Sequence, residues 1–242
     1  MADIGYRWLS LTYSVDSVHP MAVESQIGRS RSTSRNGDVR LEVYLESYRP
    51  LDSLSEHLAF AFKYEGIHLE FLARLFALDL AKKELEKWIA SEPTGSYARR
   101  ACFFYEWLLG NKLDAPNLTR GNYIDALDPE MYLVGTPINC PRWRVRDNLP
   151  GSRDFCPIVR RTEAIQATET YDVSAKLMEL ETEFGVDLIS RSTVWLTVKE
   201  SRASFLIERE QEKEDRIRRF AAVMEYECGK LNNPLSPPIL SL

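Results

Sequence analysis

Apolar residues recur along much of this chain at intervals of three and four, the spacing that gathers them on one face of an α-helix. Leu54, Leu58 and Phe62 follow the rule behind Asp52, a side chain suited to cap a first turn, and Gly66 is placed to end the segment. Residues 67–90 carry the broadest stripe, with Phe71, Leu72, Leu75, Phe76, Leu78, Leu85 and Ile89, and predict one continuous core helix closed by Pro93-Thr94-Gly95. A third helix is predicted over 96–109, where Cys102, Phe103, Tyr105, Trp107 and Leu108 read as core. Helical spacing resumes over 162–184, with Gly185 as its closing residue. From Asp187 a long pattern runs through Ile189, Val194, Trp195, Val198, Phe205 and Ile207 to Ile217, Phe220 and Met224, before Gly229 and a proline-rich tail.

Two stretches alternate instead. Residues 6–15 and 40–48 mix aromatic and β-branched side chains, each reads as a strand, and together they predict a hairpin around the polar, arginine-bearing segment 28–37. Over 116–157 prolines and glycines punctuate short extended pieces at 122–127 and 131–134, which predicts a small hairpin followed by loop. The expected fold is mainly α with small β elements (α+β), a helical bundle with an N-terminal hairpin and a mid-chain β/loop insertion. Its expected parts are a β-rich segment at 1–50, a helical domain at 51–185 with the insertion at 116–157, and a long helix with tail at 186–242.

Composition narrows the classes. With 242 residues, 44% of them hydrophobic and 28% charged, the chain has the balance of an ordinary globular protein. A net charge of -5 argues against a protein dominated by nucleic acid or an anionic membrane surface. No apolar run reaches membrane-spanning length and the N-terminus lacks a signal-peptide pattern, so the expected location is cytoplasmic. Cys102, Cys140, Cys156 and Cys228 form no C-x-x-C pair, so reduced thiols and no metal centre are expected. His68-Leu69-Glu70 has the spacing of half a zinc-deaminase motif, but the cysteine half is missing and His68 reads as structural.

Two stretches carry candidate chemistry. Arg142, Arg144, Arg146 and Arg153, followed by Arg160 and Arg161, concentrate positive charge beside Trp143 and Phe155. Interleaved cations and aromatics can contact an anion or a nucleic acid, and they can equally tie an irregular segment to acidic helices, the reading favoured by the acidic whole. In the second stretch, Ser204 and Glu208 fall one helical turn apart with Ile207 beside them. The surrounding charges, such as Glu212 with Arg216 and Asp215 with Arg219, also suit a solvated helix face.

Ala203-Ser204-Phe205-Leu206-Ile207-Glu208 resembles the inhibitory helix of Fic-family AMP transferases, Ser/Thr-x-x-x-Glu-Gly/Asn, with Arg209 in place of the Gly/Asn. Tyr105-Glu106-Trp107-Leu108-Leu109-Gly110, Arg146-Asp147-Asn148-Leu149-Pro150-Gly151 and Phe155-Cys156-Pro157 are similar to the region preceding the catalytic core in large bacterial Fic proteins. The resemblance implies a regulatory part in which Ser204 and Glu208 block productive ATP binding by a downstream core. Such a core is built on His-Pro-Phe-x-x-Gly-Asn-Gly-Arg, and no stretch of this chain matches it: His19-Pro20 is followed by Met21, and Gly121-Asn122 by Tyr123. The expectation is therefore a chain not catalytic alone, with no cofactor of its own. ATP and magnesium enter only with the core, and the partners are that core, a protein target and, left open, a second copy of the chain. A nucleic-acid or protein binding module using 142–161 is the alternative, and a standalone enzyme is the least favoured.

Overall fold

The computed structural model of the chain describes residues 1–169 and 171–185, together with residues 188, 192, 195, 196, 199, 200, 203 and 219. Among the described residues seven α-helices accompany two small sheets, a mainly helical α+β fold. The chain divides into two compact units, Met1–Ile165 and Gln166–Leu242. Among the described residues no helix is long and apolar enough to cross a membrane.

The first unit opens with β1 (Ala2–Ile4) and then α1 (Gly5–Tyr13), so the strand expected over 6–15 is a helix. Tyr6 and Leu9, three apart, are the side chains it buries, and the apparent alternation is incidental. What makes the helix possible is not local. Its first two N–H groups donate to His57 Nδ1 at 3.1 Å, on the next helix, and to Glu65 Oε2 at 2.8 Å, at that helix's C-terminal cap.

The N-terminal sheet has the order β1-β2-β4-β3, with β2 (Val23–Ile27), β3 (Ser32–Asn36) and β4 (Val39–Tyr44). The hairpin is made by β3 and β4 around Gly37, whose φ is +60°, while β2 pairs with β4 in parallel. Segment 28–37 is thus half strand, not an open loop between two strands. Ile4, Ile27 and Tyr44 pack against Phe60 and form a small separate core.

Helix α2 (Leu54–Tyr64) is capped by Ser53, not Asp52: Ser53 Oγ accepts from Glu56 N at 3.3 Å, and Ser53 with Glu56 fits the S-x-x-E capping pattern. The helix expected over 67–90 is two, α3 (Leu69–Phe76) and α4 (Asp79–Ser91), parted at Ala77 and Leu78. The stripe itself demands the break. Leu72 and Ala81, both fully buried, lie nine positions apart and would face opposite sides of a straight helix, about 180° around it. Only a change of direction lets both reach α5 (Ser96–Leu109), the central helix, where Ala98, Ala101, Cys102 and Phe104 are wholly buried.

The insertion holds a three-stranded sheet of order β5-β7-β6: β5 (Ile124–Asp125), β6 (Ile138–Cys140) and β7 (Val145–Asp147). Its hairpin joins β6 to β7, and 131–134 contributes only the single bridge of Tyr132 to Arg160. Trp143, in the β6–β7 turn, is completely buried in the main core. The helix expected over 162–184 is also two, α6 (Glu163–Glu169) and α7 (Val173–Phe184), because Asp172 Oδ1 accepts from Ala175 N at 2.9 Å and starts a new helix. Gly185 closes α7 with φ +81°.

Candidate functional site

A cavity of about 620 Å³ opens in the first unit where α2 ends. The chain turns there at Gly66, whose φ is +98° and where a Cβ would stand 2.2 Å from Tyr132 Oη and 2.6 Å from Arg160 Nη2. Glycine is required at that point by both conformation and space. The close approach lets Arg160 donate to the Glu65 carbonyl, and Tyr132 Oη accepts from Ile67 N at 3.2 Å. Met21, Ile67, Phe155, Pro157 and Ile158 supply apolar wall.

Glu65 also lines this cavity and is 4% exposed. Burial pushes its carboxyl up to about 7, against the opposing hydrogen bond from Tyr6 N. The nearby Ser25 hydroxyl favours the ionised form, yet neither Ser25 Oγ nor Glu65 Oε1 completes a hydrogen bond of ordinary geometry. Burial likewise holds the Tyr6 phenol well above its usual range, and its hydroxyl donates to the Gly66 carbonyl at 2.8 Å. At the rim, His68 Nδ1 accepts from Phe71 N at 3.2 Å and caps α3, so His68 is structural. Cys156 is in the wall with its thiol pushed up by burial, which makes it a poor nucleophile. Apolar walls with a few convergent polar groups suit ligand binding better than covalent chemistry. Among the described residues no group of three or more His, Cys, Asp or Glu is placed to hold a metal ion.

Arg160 is the arginine of the 142–161 segment that lines this cavity; the others are engaged within the same unit. Arg142 Nε meets Glu106 Oε1 at 2.9 Å, its Nη1 reaches Asn117 Oδ1 at 2.6 Å and its Nη2 reaches the Leu113 carbonyl at 2.7 Å. Arg144 donates to the Gly121 carbonyl and lies 4.8 Å from the Tyr123 ring centroid. Arg146 grips Asp125 with two bonds of 2.6 and 2.7 Å. Arg153 Nε donates to the Trp107 carbonyl at 3.0 Å, and Arg161 Nε to the Tyr132 carbonyl at 3.1 Å. Ser204 and Glu208 lie outside the described residues.

Several organising residues escape a sequence reading. Arg99, 3% exposed, donates to the carbonyls of Trp143, Asn122 and Arg144 and so fastens the insertion to α5. Glu106 receives Arg142 Nε, Leu113 N and Trp143 Nε1. Glu65 did leave a signal: a carboxylate at the C-terminal end of a helix, where the dipole disfavours it, beside a glycine. His57 and Arg99 carry no such mark.

No protein-family model, no curated protein and no solved structure matches this chain.

Proposed function

We propose that this chain is the N-terminal regulatory part of a Fic-type AMP transferase, carrying in Ser204 and Glu208 an inhibitory helix for a downstream catalytic core. One observation carries the reading. Two of the stretches that resemble Fic proteins, 105–110 and 146–151, lie against each other where α5 meets β7, and Arg153, between the second of them and Phe155-Cys156-Pro157, bonds the carbonyl of Trp107. Their contact supports reading these first-unit stretches as one region, as the resemblance does. In this role the chain is a cytoplasmic scaffold that needs no cofactor, ATP and magnesium being handled by the core. A second copy of the chain and the identity of the modified protein stay outside the reading.

Glu208 is then the inhibitory group. Its carboxylate pairs with the core arginine that otherwise holds the γ-phosphate, so ATP binds with its α-phosphate misplaced for attack. Ser204, one turn earlier, orients the helix with the smaller effect. In the longer protein, Glu208→Gly is expected to raise AMP transfer from ATP strongly while Glu212→Gly leaves it unchanged. Equal rates for the two variants refute the inhibitory role. The 242-residue chain alone is expected to transfer no AMP, and incorporation of labelled AMP by it refutes the non-catalytic assignment.

The alternative, a nucleic-acid module, draws less support because Arg142, Arg144 and Arg146 are already bonded within the unit. A DNA titration distinguishes it: affinity that falls steeply with salt favours that module.

A further inference from the structure

A second depression, of about 470 Å³, opens on the first unit and shares Ala22, Val23 and Arg160 with the larger cavity. Its wall joins arginines from two remote stretches: Arg35 on β3, Arg40 on β4 and Arg160 beyond β7. The register of β3 and β4 sets Arg35 directly opposite Arg40, so the two side chains leave the sheet on the same face. Like charges so placed destabilise a strand pair. Arg40 is relieved by Glu42, at 3.0 Å from its Nε. That carboxylate is also held by Arg31 Nη2 at 2.7 Å and by Thr33 Oγ1 at 2.9 Å, which leaves it little to offer a further cation. Among the described residues no carboxylate pairs with Arg35 or with Arg160. Asp38 is the acidic residue of the wall, against three arginines.

We propose that this depression binds the phosphate of a phosphate monoester whose apolar or aromatic body occupies the adjoining 620 Å³ cavity. The head-group chemistry follows from the number of cations. A planar carboxylate is served by one guanidinium fork, whereas a phosphate monoester presents three terminal oxygens and up to two negative charges. Here Arg35 and Arg40 line the depression from the sheet and Arg160 lines it from the stretch beyond β7. Thr162 also lines the depression. Thr162 Oγ1 accepts from Ile165 N at 3.3 Å, which keeps its own proton free to donate. Arg160 is the hinge between the chambers: one nitrogen is fixed on the Glu65 carbonyl and the guanidinium lies 5.8 Å from the Tyr132 ring centroid. The body's side is apolar, with Met21, Ile67, Pro157 and Ile158, and Phe155 stands 73% exposed at that cavity's edge. Such a site exists whether or not a Fic core follows the chain.

The test is isothermal titration calorimetry on the 242-residue chain at pH 7 and low salt, with phenyl phosphate, inorganic phosphate and benzoate as probes. Phenyl phosphate is expected to bind about tenfold or more tighter than either of the others, since only it fills both chambers. Arg35→Gln removes a side chain that bonds no described residue, and is expected to weaken phenyl phosphate about tenfold, the worth of one charge-assisted hydrogen bond. The melting temperature of that variant is expected to stay level or rise, because a like-charge pair is relieved. Arg29→Gln, on an exposed arginine outside the depression, is expected to bind as the parent does. Three results overturn the proposal: no binding of phenyl phosphate at millimolar concentration, equal affinity for phenyl phosphate and inorganic phosphate, or equal loss in the Arg35 and Arg29 variants.

Discussion

Replacing Glu65 by glutamine should make stability fall more steeply with acid than it does in the parent. Two buried groups cap α1, and burial displaces them in opposite directions: Glu65, 4% exposed, from 4.5 up to about 7, and His57, 1% exposed, from 6.5 down to about 4. Desolvation is the leading cause in both. His57 is further fixed as the neutral ring, since its Nδ1 accepts from Gly5 N and its face stacks on Trp8 at 3.8 Å. For Glu65 the folded chain holds the proton more tightly than the unfolded chain. Its contribution is therefore full below pH 4.5 and is lost as pH rises towards 7. For His57 the unfolded chain holds the proton more tightly, so its contribution is full above pH 6.5 and is lost as pH falls towards 4. Between pH 4.5 and 6.5 the two slopes have equal size and opposite sign. Each is steepest in the middle of that window, where it approaches the limit of about 1.4 kcal/mol per pH unit. Glu65→Gln keeps an oxygen for Tyr6 N but removes one slope, so its stability should drop by about 2 kcal/mol from pH 6.5 to 4.5 relative to the parent. His57→Asn, which keeps an acceptor for Gly5 N, should show the reverse relative trend. Urea unfolding curves at pH 4.5, 5.5 and 6.5 measure all three proteins. Parallel stability–pH curves for the parent and Glu65→Gln refute the reasoning.

Other consequences are as direct. Glu106→Ala strands Arg142 Nε, Leu113 N and Trp143 Nε1, and urea denaturation should register a loss of about 3 kcal/mol. Gly66→Ala puts a Cβ 2.2 Å from Tyr132 Oη at φ +98°; a loss of at least about 2 kcal/mol is expected, and an unchanged melting temperature contradicts the packing described here. Arg99→Lys keeps the charge but loses the fork that holds three carbonyls, so hydrogen exchange in residues 122–125 and 143–146 should accelerate about tenfold or more.

The elements that could be read from sequence are those whose cause is local. Helix α5 carries its own stripe between Gly95 and Gly110, and its bounds of Ser96–Leu109 coincide with the expected ones. Helix α1 has no local cap and draws its acceptors from His57 and Glu65, so no window around residues 6–15 contains the reason for it. The split between α3 and α4 was written in the phase of the stripe, which reverses between Phe76 and Ala81, though no glycine or proline marks it. The cavity beside Glu65 and the depression that Arg35 and Arg160 both line are built from stretches far apart in the first unit. The arginines of 142–161 were conspicuous as a cluster, while their partners, largely backbone carbonyls, carry no sequence signature.

Helix α1 is synthesised before α2 and cannot be completed before it. It has nine residues, a length at which an isolated helix is marginal in water. The acceptors for its leading N–H groups arrive 52 and 59 positions later in translation. A nascent chain therefore carries α1 unfinished until α2 has left the ribosome, and the order of assembly of this unit runs against the order of its synthesis.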